Sequence, residues 1–440
     1  MTDVRPDNAL EVIHRHLPPG RMDLVLDMDK SHGATLVDAR DGTEYLDLFS
    51  FFASNALGMN HPRFTSEVVE RLGRLAVNKP SNSDIPTVEM AQFTAVFDEV
   101  LGVEGLPYRF FIEGGALGVE NALKAAFDWK SRHNEAHGRD PGLGTQVMHL
   151  TRAFHGRTGY TLSLTNTEPV KTDRFTQFSW PRINVPALKF PLDDHADRND
   201  DADERALAQA AEAFVRHKHD IACFIAEPIQ SEGGDNHLSA GFLQGMQDLC
   251  RKHDALFVID EVQTGVGMSG TAWCFQQLGI EPDLVAFGKK THVCGVLGGG
   301  RIDEVDDHVW KVAGRLNSTF GGNFLDMVRA TTILEVIRDE NLIERAATVG
   351  AGLLRDLESL GSRHDRVTNV RGRGLLCAFD LPDDTTRDAV ISRAREEHRV
   401  LLLGCGERSI RLRPALTIGE DELARGLEAL DAVLSSSDAP

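Results

Sequence analysis

Three short apolar runs stand in the middle of the chain, and each stops at an ionisable residue. Residues 222–226 (ACFIA) meet Glu227, residues 255–259 (ALFVI) meet Asp260, and residues 284–287 (LVAF) meet Gly288 and Lys289. The ionisable residues are 33 and then 29 positions apart, gaps that each hold one strand–helix–strand unit. The pattern predicts neighbouring parallel strands. In an open parallel sheet, chemistry gathers beyond the carboxyl ends of the strands, so Lys289 and Asp260 are expected side by side at one rim. An acid ending a strand is equally an N-cap or a solvated turn, and a lysine there is more often a surface charge. The pair, one crossover apart, carries the weight.

The same patterning sets out the rest of the chain. A short amphipathic helix is expected over residues 8–17, ended by Pro18-Pro19-Gly20. Residues 34–38 and 45–48 flank Asp41-Gly42 as a hairpin, and residues 49–55 are an irregular apolar segment. A helix follows over 67–75, then a polar loop at 78–84. Residues 109–112 read as a strand that meets Gly114-Gly115 and opens into a helix with Leu117, Ala122, Leu123, Ala126 and Trp129 on its apolar face. The free N–H groups and dipole at such a helix start favour a phosphate, although the spacing is neither a P-loop nor GxGxxG and, by itself, reads better as a plain tight turn. The strand 147–150 leads to Phe154, His155 and Arg157: a ring able to stack on a planar cofactor, an imidazole that by itself reads as structural, and a guanidinium able to grip a carboxylate.

The acid-rich stretch 193–203 reads as a solvated excursion before a helix over 203–217. A glycine-punctuated loop at 315–323 precedes a helix at 325–339. Helices then alternate with short strands at 375–379, 400–403 and 410–413, the pattern of a smaller α+β domain. The tail at 435–438 is expected to fray. No internal repeat is present.

Composition narrows the function classes. A chain of 440 residues with 41% hydrophobic and 26% charged residues is ordinary globular material, too long for a single small core. A formal net charge of −20 disfavours nucleic acid and anionic membrane surfaces, and an anionic substrate requires local arginines. The six cysteines are scattered without a CxxC pair, which points to a reducing compartment and no metal framework. Residues 1–6 lack the apolar stretch of a signal peptide, and no run of about 18 apolar residues predicts a membrane span. A lysine aimed into a cleft beside a carboxylate meets the needs of a pyridoxal phosphate enzyme, an amine for covalent attachment and a partner for the pyridinium nitrogen.

With these residues in view, the chain resembles the class III, or ω-, aminotransferases of pyridoxal phosphate fold type I from about residue 35 to about 420. The motifs stand in family order: Gly114-Gly115-Ala116, Phe154-His155-Gly156-Arg157, Ala226-Glu227-Pro228, Asp260-Glu261-Val262-Gln263-Thr264-Gly265, Gly288-Lys289 and Ser318-Thr319-Phe320-Gly321-Gly322-Asn323. Within the class the resemblance is greatest to enzymes acting on the ε-amino group of L-lysine, and it is carried by residues 78–84, 154–166 and 287–291.

The resemblance implies an α/β fold: a large cofactor-binding domain over 60–325 with a mostly parallel sheet, and a small α+β domain from 1–59 and 326–440. It implies that Lys289, not Lys290, bonds to pyridoxal 5′-phosphate and shuttles the proton, and that Asp260 pairs with the ring nitrogen. Phe154 would stack on the ring with His155 beside it, and Gln263 would touch the phenolic oxygen. Gly115 and Ala116 would hold the phosphate through their N–H groups, joined by Thr319 from a partner subunit. Many relatives carry Ser or Thr where Ala116 stands, so more of the phosphate rests on Thr319. Arg157, with Asn317 nearby, would bind the distal carboxylate, while Arg411 and Glu232 would manage the second substrate. Ser231 stands where glycine is common, which bears on the mobility of that loop. The implied reaction moves the ε-amine of lysine to 2-oxoglutarate in a cytoplasmic homodimer with shared sites, and the aldehyde product cyclises to piperideine-6-carboxylate. Ornithine, 4-aminobutyrate or another diamine as donor, an aminomutase of the same fold, or a catalytically silent scaffold are the alternatives.

Overall fold

In the computed structural model, which describes residues 3–436, the three apolar runs are adjacent parallel strands: Ile221–Ala226, Leu256–Asp260 and Leu284–Phe287. All their residues are buried. Strands covered on both faces have no reason to alternate apolar with polar, which explains the unbroken runs. Ala226 pairs with Ile259, and Asp260 with Ala286, so the three carboxyl ends are level. Gln146–Leu150 and Arg182–Ile183 extend the sheet in parallel on one side. On the other side lie Cys294–Gly298 and Tyr108–Ile112, completing seven strands in which 294–298 alone runs against the rest.

The helix Gly115–Ala136 packs across this sheet through Val119, Ala122, Leu123, Ala126 and Trp129. Leu117, expected on that face, is exposed. It is two residues from Val119, about 200° around the helix. The acid-rich excursion is a second correction. The helix there spans Ala196–Arg216 and begins seven residues before the expected start. Asp197 lies in its first turn, where the helix dipole favours negative charge, and Asn199 is buried with its side chain bonded to the Lys189 backbone.

Two smaller sheets lie outside the seven-stranded one, and the first joins the two ends of the chain. The hairpin Thr35–Val37 and Glu44–Asp47 forms as expected and takes Val400–Leu401 as a parallel third strand. The apolar run at 400–403 is therefore not one strand. It divides, and Leu403–Cys405 enters a four-stranded antiparallel sheet with Ser409–Leu412, Leu376–Asp380 and Thr368–Arg373. The last of these strands went unpredicted because TNVRGR is polar and contains a glycine. All six cysteines are free and buried, with Cys223 and Cys377 in the core. No helix among the described residues is long and apolar enough to cross a membrane. Ser437 and Asp438 of the tail lie outside the described residues.

Candidate active site

Lys289 follows the strand 284–287 with a left-handed backbone (φ 55°). Its Nζ donates to the carbonyl of Phe52 at 3.0 Å. With its amide oriented to satisfy both neighbours, Gln263 donates to that same carbonyl at 2.8 Å and accepts from Lys289 Nζ at 3.2 Å. Burial, reinforced by the charge of Arg411, lowers the Lys289 amine to about 8. The adjacent Lys290 is fully buried elsewhere and donates to the Gln263 carbonyl at 2.8 Å. The backbone turn sends the two lysines to different surroundings and leaves Lys289 as the half-buried amine at the strand rim.

The Phe52 carbonyl is presented by an unusual turn. Ser50, Phe51, Phe52 and Ala53 all have positive φ, between 41° and 62°, a conformation that costs energy at each non-glycine residue. The Asp47 carboxylate secures its start, accepting from the N–H groups of Phe49 at 2.9 Å and Ser50 at 2.8 Å. The Ser50 hydroxyl donates to the Arg413 carbonyl at 2.5 Å. The Phe52 ring stands 5.9 Å from both Lys289 Nζ and the Arg411 guanidinium.

Asp260 closes the neighbouring strand. One carboxylate oxygen accepts from His155 Nδ1 at 2.8 Å and the other from the Val262 N–H at 3.0 Å. His155 is fully buried, and its Nε2 has no hydrogen-bond partner among the described residues. The other strand-end acid, Glu227, is a brace: its carboxylate accepts from the N–H groups of Phe154 at 3.0 Å and Ser231 at 3.3 Å. Burial, with Asp260 nearby, pushes the Glu227 carboxyl well above the usual range.

Glu232 lies between two cations. One oxygen is 2.8 Å from Arg411 Nη2 and the other 2.7 Å from Lys171 Nζ. Burial alone would raise this carboxyl, but Arg411 and Lys171 outweigh it and hold it near 2. Arg411 sits in the strand Ser409–Leu412, paired on both sides, and is 2% exposed. Its Nε and Nη1 are buried without a hydrogen-bond partner among the described residues. A guanidinium with unused donors beside a lysine is suited to a second carboxylate. Ser231 is tied at two points: its hydroxyl donates to the Ile229 carbonyl at 3.4 Å, in addition to the bond from its N–H to Glu227. Sequence reasoning missed Lys171 and Phe52. Lys171 is 61 residues from Glu232 in sequence, in a short turn with no motif to mark it.

The helix at Gly115 starts after Gly114, whose φ is 90°. A side chain at 115 would meet Val262 Cγ1 at 2.9 Å, and one at Gly156, whose φ is 125°, would meet Ala116 Cβ at 2.5 Å. Side chains do not fit at 115 or 156, and the first N–H groups of the helix, which have no intrahelical partner, are left for a ligand. Asn317 and Thr319 lie on an exposed loop braced by Ser81, which donates to the Thr319 carbonyl at 2.7 Å, and by Asn82, which donates to the Gly322 carbonyl at 2.7 Å. Asn317 itself accepts from the Ser318 N–H at 2.8 Å. Arg157 is exposed as well. Among the described residues no hydrogen bond or ion pair ties Arg157, Asn317 or the Thr319 side chain to Lys289, Asp260 or Arg411 within one subunit.

The fold is that of a pyridoxal phosphate transferase of fold type I. Residues 17–434 match the aminotransferase class-III family, and the chain belongs to it; it is an aminotransferase whose cofactor is pyridoxal 5′-phosphate. The residues present fit that group: a half-buried amine depressed toward neutrality, a strand-end carboxylate and a helix start with free N–H groups. The chain is 56% identical over 433 residues, 97% of its length and 95% of the relative's, to the L-lysine-epsilon aminotransferase of Amycolatopsis lactamdurans. The solved structure of the lysine aminotransferase from M. tuberculosis in the internal aldimine form matches with a TM-score of 0.96 at 52% identity, covering 98% of this chain and 99% of that one. The human mitochondrial 4-aminobutyrate aminotransferase is more distant, 32% identical over 409 residues, 88% of this chain and 80% of the relative.

Proposed function

We propose that the protein transfers the ε-amino group of L-lysine to 2-oxoglutarate, giving glutamate and 2-aminoadipate 6-semialdehyde, which cyclises to piperideine-6-carboxylate. The observation that carries this reading is Glu232 on Arg411 beside Lys289. The identity of 53–56% to lysine ε-aminotransferases supports lysine as donor. When bound, the cofactor supplies an aldehyde that carries the amino group and a ring that accepts electrons from the substrate carbon. Lys289 would hold it covalently and move the proton at the reacting carbon. Asp260, oriented by His155 and the Val262 N–H, would keep a positive charge on the ring nitrogen. Phe154 and Gln263 would contact the ring, and Gly115, Ala116 and Thr319 would hold the phosphate.

Both substrates carry a carboxylate far from the reacting end, which Arg157 holds with Asn317 beside it. The reacting ends differ. Lysine brings a bare CH₂, whereas 2-oxoglutarate brings a second carboxylate that suits Arg411. Glu232 covers Arg411 in the lysine half-reaction and leaves it for 2-oxoglutarate, so the buried guanidinium always has an anion. The exposure of Arg157, Asn317 and Thr319 supports a homodimer in which Thr319 serves the neighbouring site. We place the enzyme in the cytoplasm and divide the chain into a large domain, 60–325, and a small one from 1–59 and 326–440, because the three-stranded sheet pairs the hairpin at 35–47 with residues 400–401.

Single-turnover kinetics, with each half-reaction followed separately by the cofactor spectrum, tests this. The wild type should react faster with lysine than with ornithine or 4-aminobutyrate. In Glu232→Ala the lysine half-reaction should slow roughly 100-fold, the scale of exposing one member of a buried ion pair, and the glutamate half-reaction about threefold or less. Equal losses, or a loss confined to glutamate, would rule out the switch.

A further inference from the structure

We propose that Lys171 is the positioning residue that holds the Glu232 carboxylate when Arg411 is given over to the substrate, and so sets the affinity for the 2-oxo acid. The proposal rests on the switch described above and extends it to the other end of the Glu232 movement. A carboxylate that leaves Arg411 without another partner would be a charge stranded in a partly dry site at a heavy desolvation cost. Lys171 removes that cost in advance. Its side chain is 9% exposed, and its Nζ already touches the Glu232 oxygen that Arg411 does not. The ammonium is held by three other groups: Thr167 Oγ1 at 3.3 Å, Glu168 Oε1 at 3.2 Å and the face of the Phe154 ring at 5.2 Å. It is thus fixed independently of Glu232.

The backbone around Glu232 does not need to move for this transfer. The Glu232 carbonyl accepts from the Gly406 N–H at 3.0 Å. Arg371 donates to the carbonyls of Gly234 at 2.6 Å and Asp235 at 2.8 Å, and Arg413 pairs with the Asp235 carboxylate. A side chain at Gly233 would meet the Arg152 carbonyl at 2.0 Å. The segment is anchored on both sides of Glu232, so the exchange of partners is confined to a side-chain rotation between Arg411 and Lys171. Because Lys171 acts before and throughout the chemical step, its contribution is one of uniform binding, which appears in KM or Kd and not in the rate at saturation.

The test uses holoenzyme carrying Lys171→Met, Lys171→Arg, Glu232→Ala and the double variant Lys171→Met/Glu232→Ala, with each half-reaction measured under single turnover. Lys171→Met should weaken apparent binding of 2-oxoglutarate and glutamate roughly tenfold or more, leave the saturating rate within about threefold, and change the lysine half-reaction by about threefold or less. Lys171→Arg should restore binding. In the Glu232→Ala background, where no carboxylate needs holding, Lys171→Met should add about twofold or less. Equal losses in both half-reactions would reduce Lys171 to a structural brace and overturn the proposal while leaving the switch intact. A loss that persists in the Glu232→Ala background would place Lys171 on the substrate itself and also overturn it. Failure of the switch is read separately, from Glu232→Ala alone, and would remove the ground for the proposal. Should Lys171→Met fail to fold, Lys171→Arg and Lys171→Gln carry the comparison, and the same selectivity is required of Lys171→Gln.

Discussion

Lys289→Ala is expected to yield a folded protein that binds no cofactor covalently and turns over roughly five orders of magnitude more slowly, the scale of losing an essential nucleophile. The fold should survive because the side chain is only half-buried and donates two hydrogen bonds, one to the Phe52 carbonyl, which retains the Gln263 amide as donor, and one to the Gln263 side-chain oxygen. The loss of stability should be about 2 kcal/mol, the net worth of two such bonds. Activity cannot survive in the same way. Burial and Arg411 bring the Lys289 amine to about 8, so about half of it is neutral at that pH and able to attack a carbonyl. Lys290, the only adjacent amine, is locked away on the Gln263 carbonyl and cannot substitute. Borohydride reduction of the wild-type holoenzyme followed by peptide mapping should place the cofactor on Lys289. A label on Lys290, or residual turnover within tenfold of wild type, would overturn the assignment.

Asp260→Asn is expected to retain cofactor and lose roughly two to four orders of magnitude in turnover, the scale of removing a buried charge partner. An asparagine at this position has the shape of the aspartate but a single acceptor oxygen, so it satisfies either His155 Nδ1 or the Val262 N–H, both of which the aspartate serves. The carbonyl end of an amide cannot balance a protonated ring nitrogen. The ring then accepts electrons from the substrate carbon less well, and the proton transfer at Lys289 slows. The measurement is turnover alongside the cofactor spectrum, which should show that the cofactor remains bound. Near-normal turnover would mean that Asp260 only orients His155 and the following turn.

What the sequence disclosed, and what it hid, divides along physical lines. Strands buried on both faces announce themselves as unbroken apolar runs, so the strands ending at Glu227, Asp260 and Lys289 were legible, and with them the shared rim. The parallel direction of those strands followed from the lengths of the crossovers. The left-handed turn at 50–53 left no mark, because no glycine occupies it. It is held by Asp47 and by a hydroxyl bond to Arg413, 363 residues away. The division of 400–403 between two sheets was hidden for a similar reason, since the partner of Val400–Leu401 is a hairpin near the start of the chain. Lys171 was hidden most completely. A lysine in a polar turn reads as solvated, and only the folded chain brings it to Glu232. Arg157, Asn317 and Thr319 were legible as motif positions, but their surroundings in one subunit are open, and their proposed roles require the neighbouring subunit.

The transfer itself is tested most directly with isotope. Holoenzyme is given L-lysine carrying ¹⁵N on the ε-nitrogen, together with unlabelled 2-oxoglutarate, and the products are read by mass spectrometry. The predicted result is ¹⁵N-glutamate and an unlabelled cyclic product that retains the original α-nitrogen. Unlabelled glutamate, with the ¹⁵N still on the lysine-derived product, would contradict it.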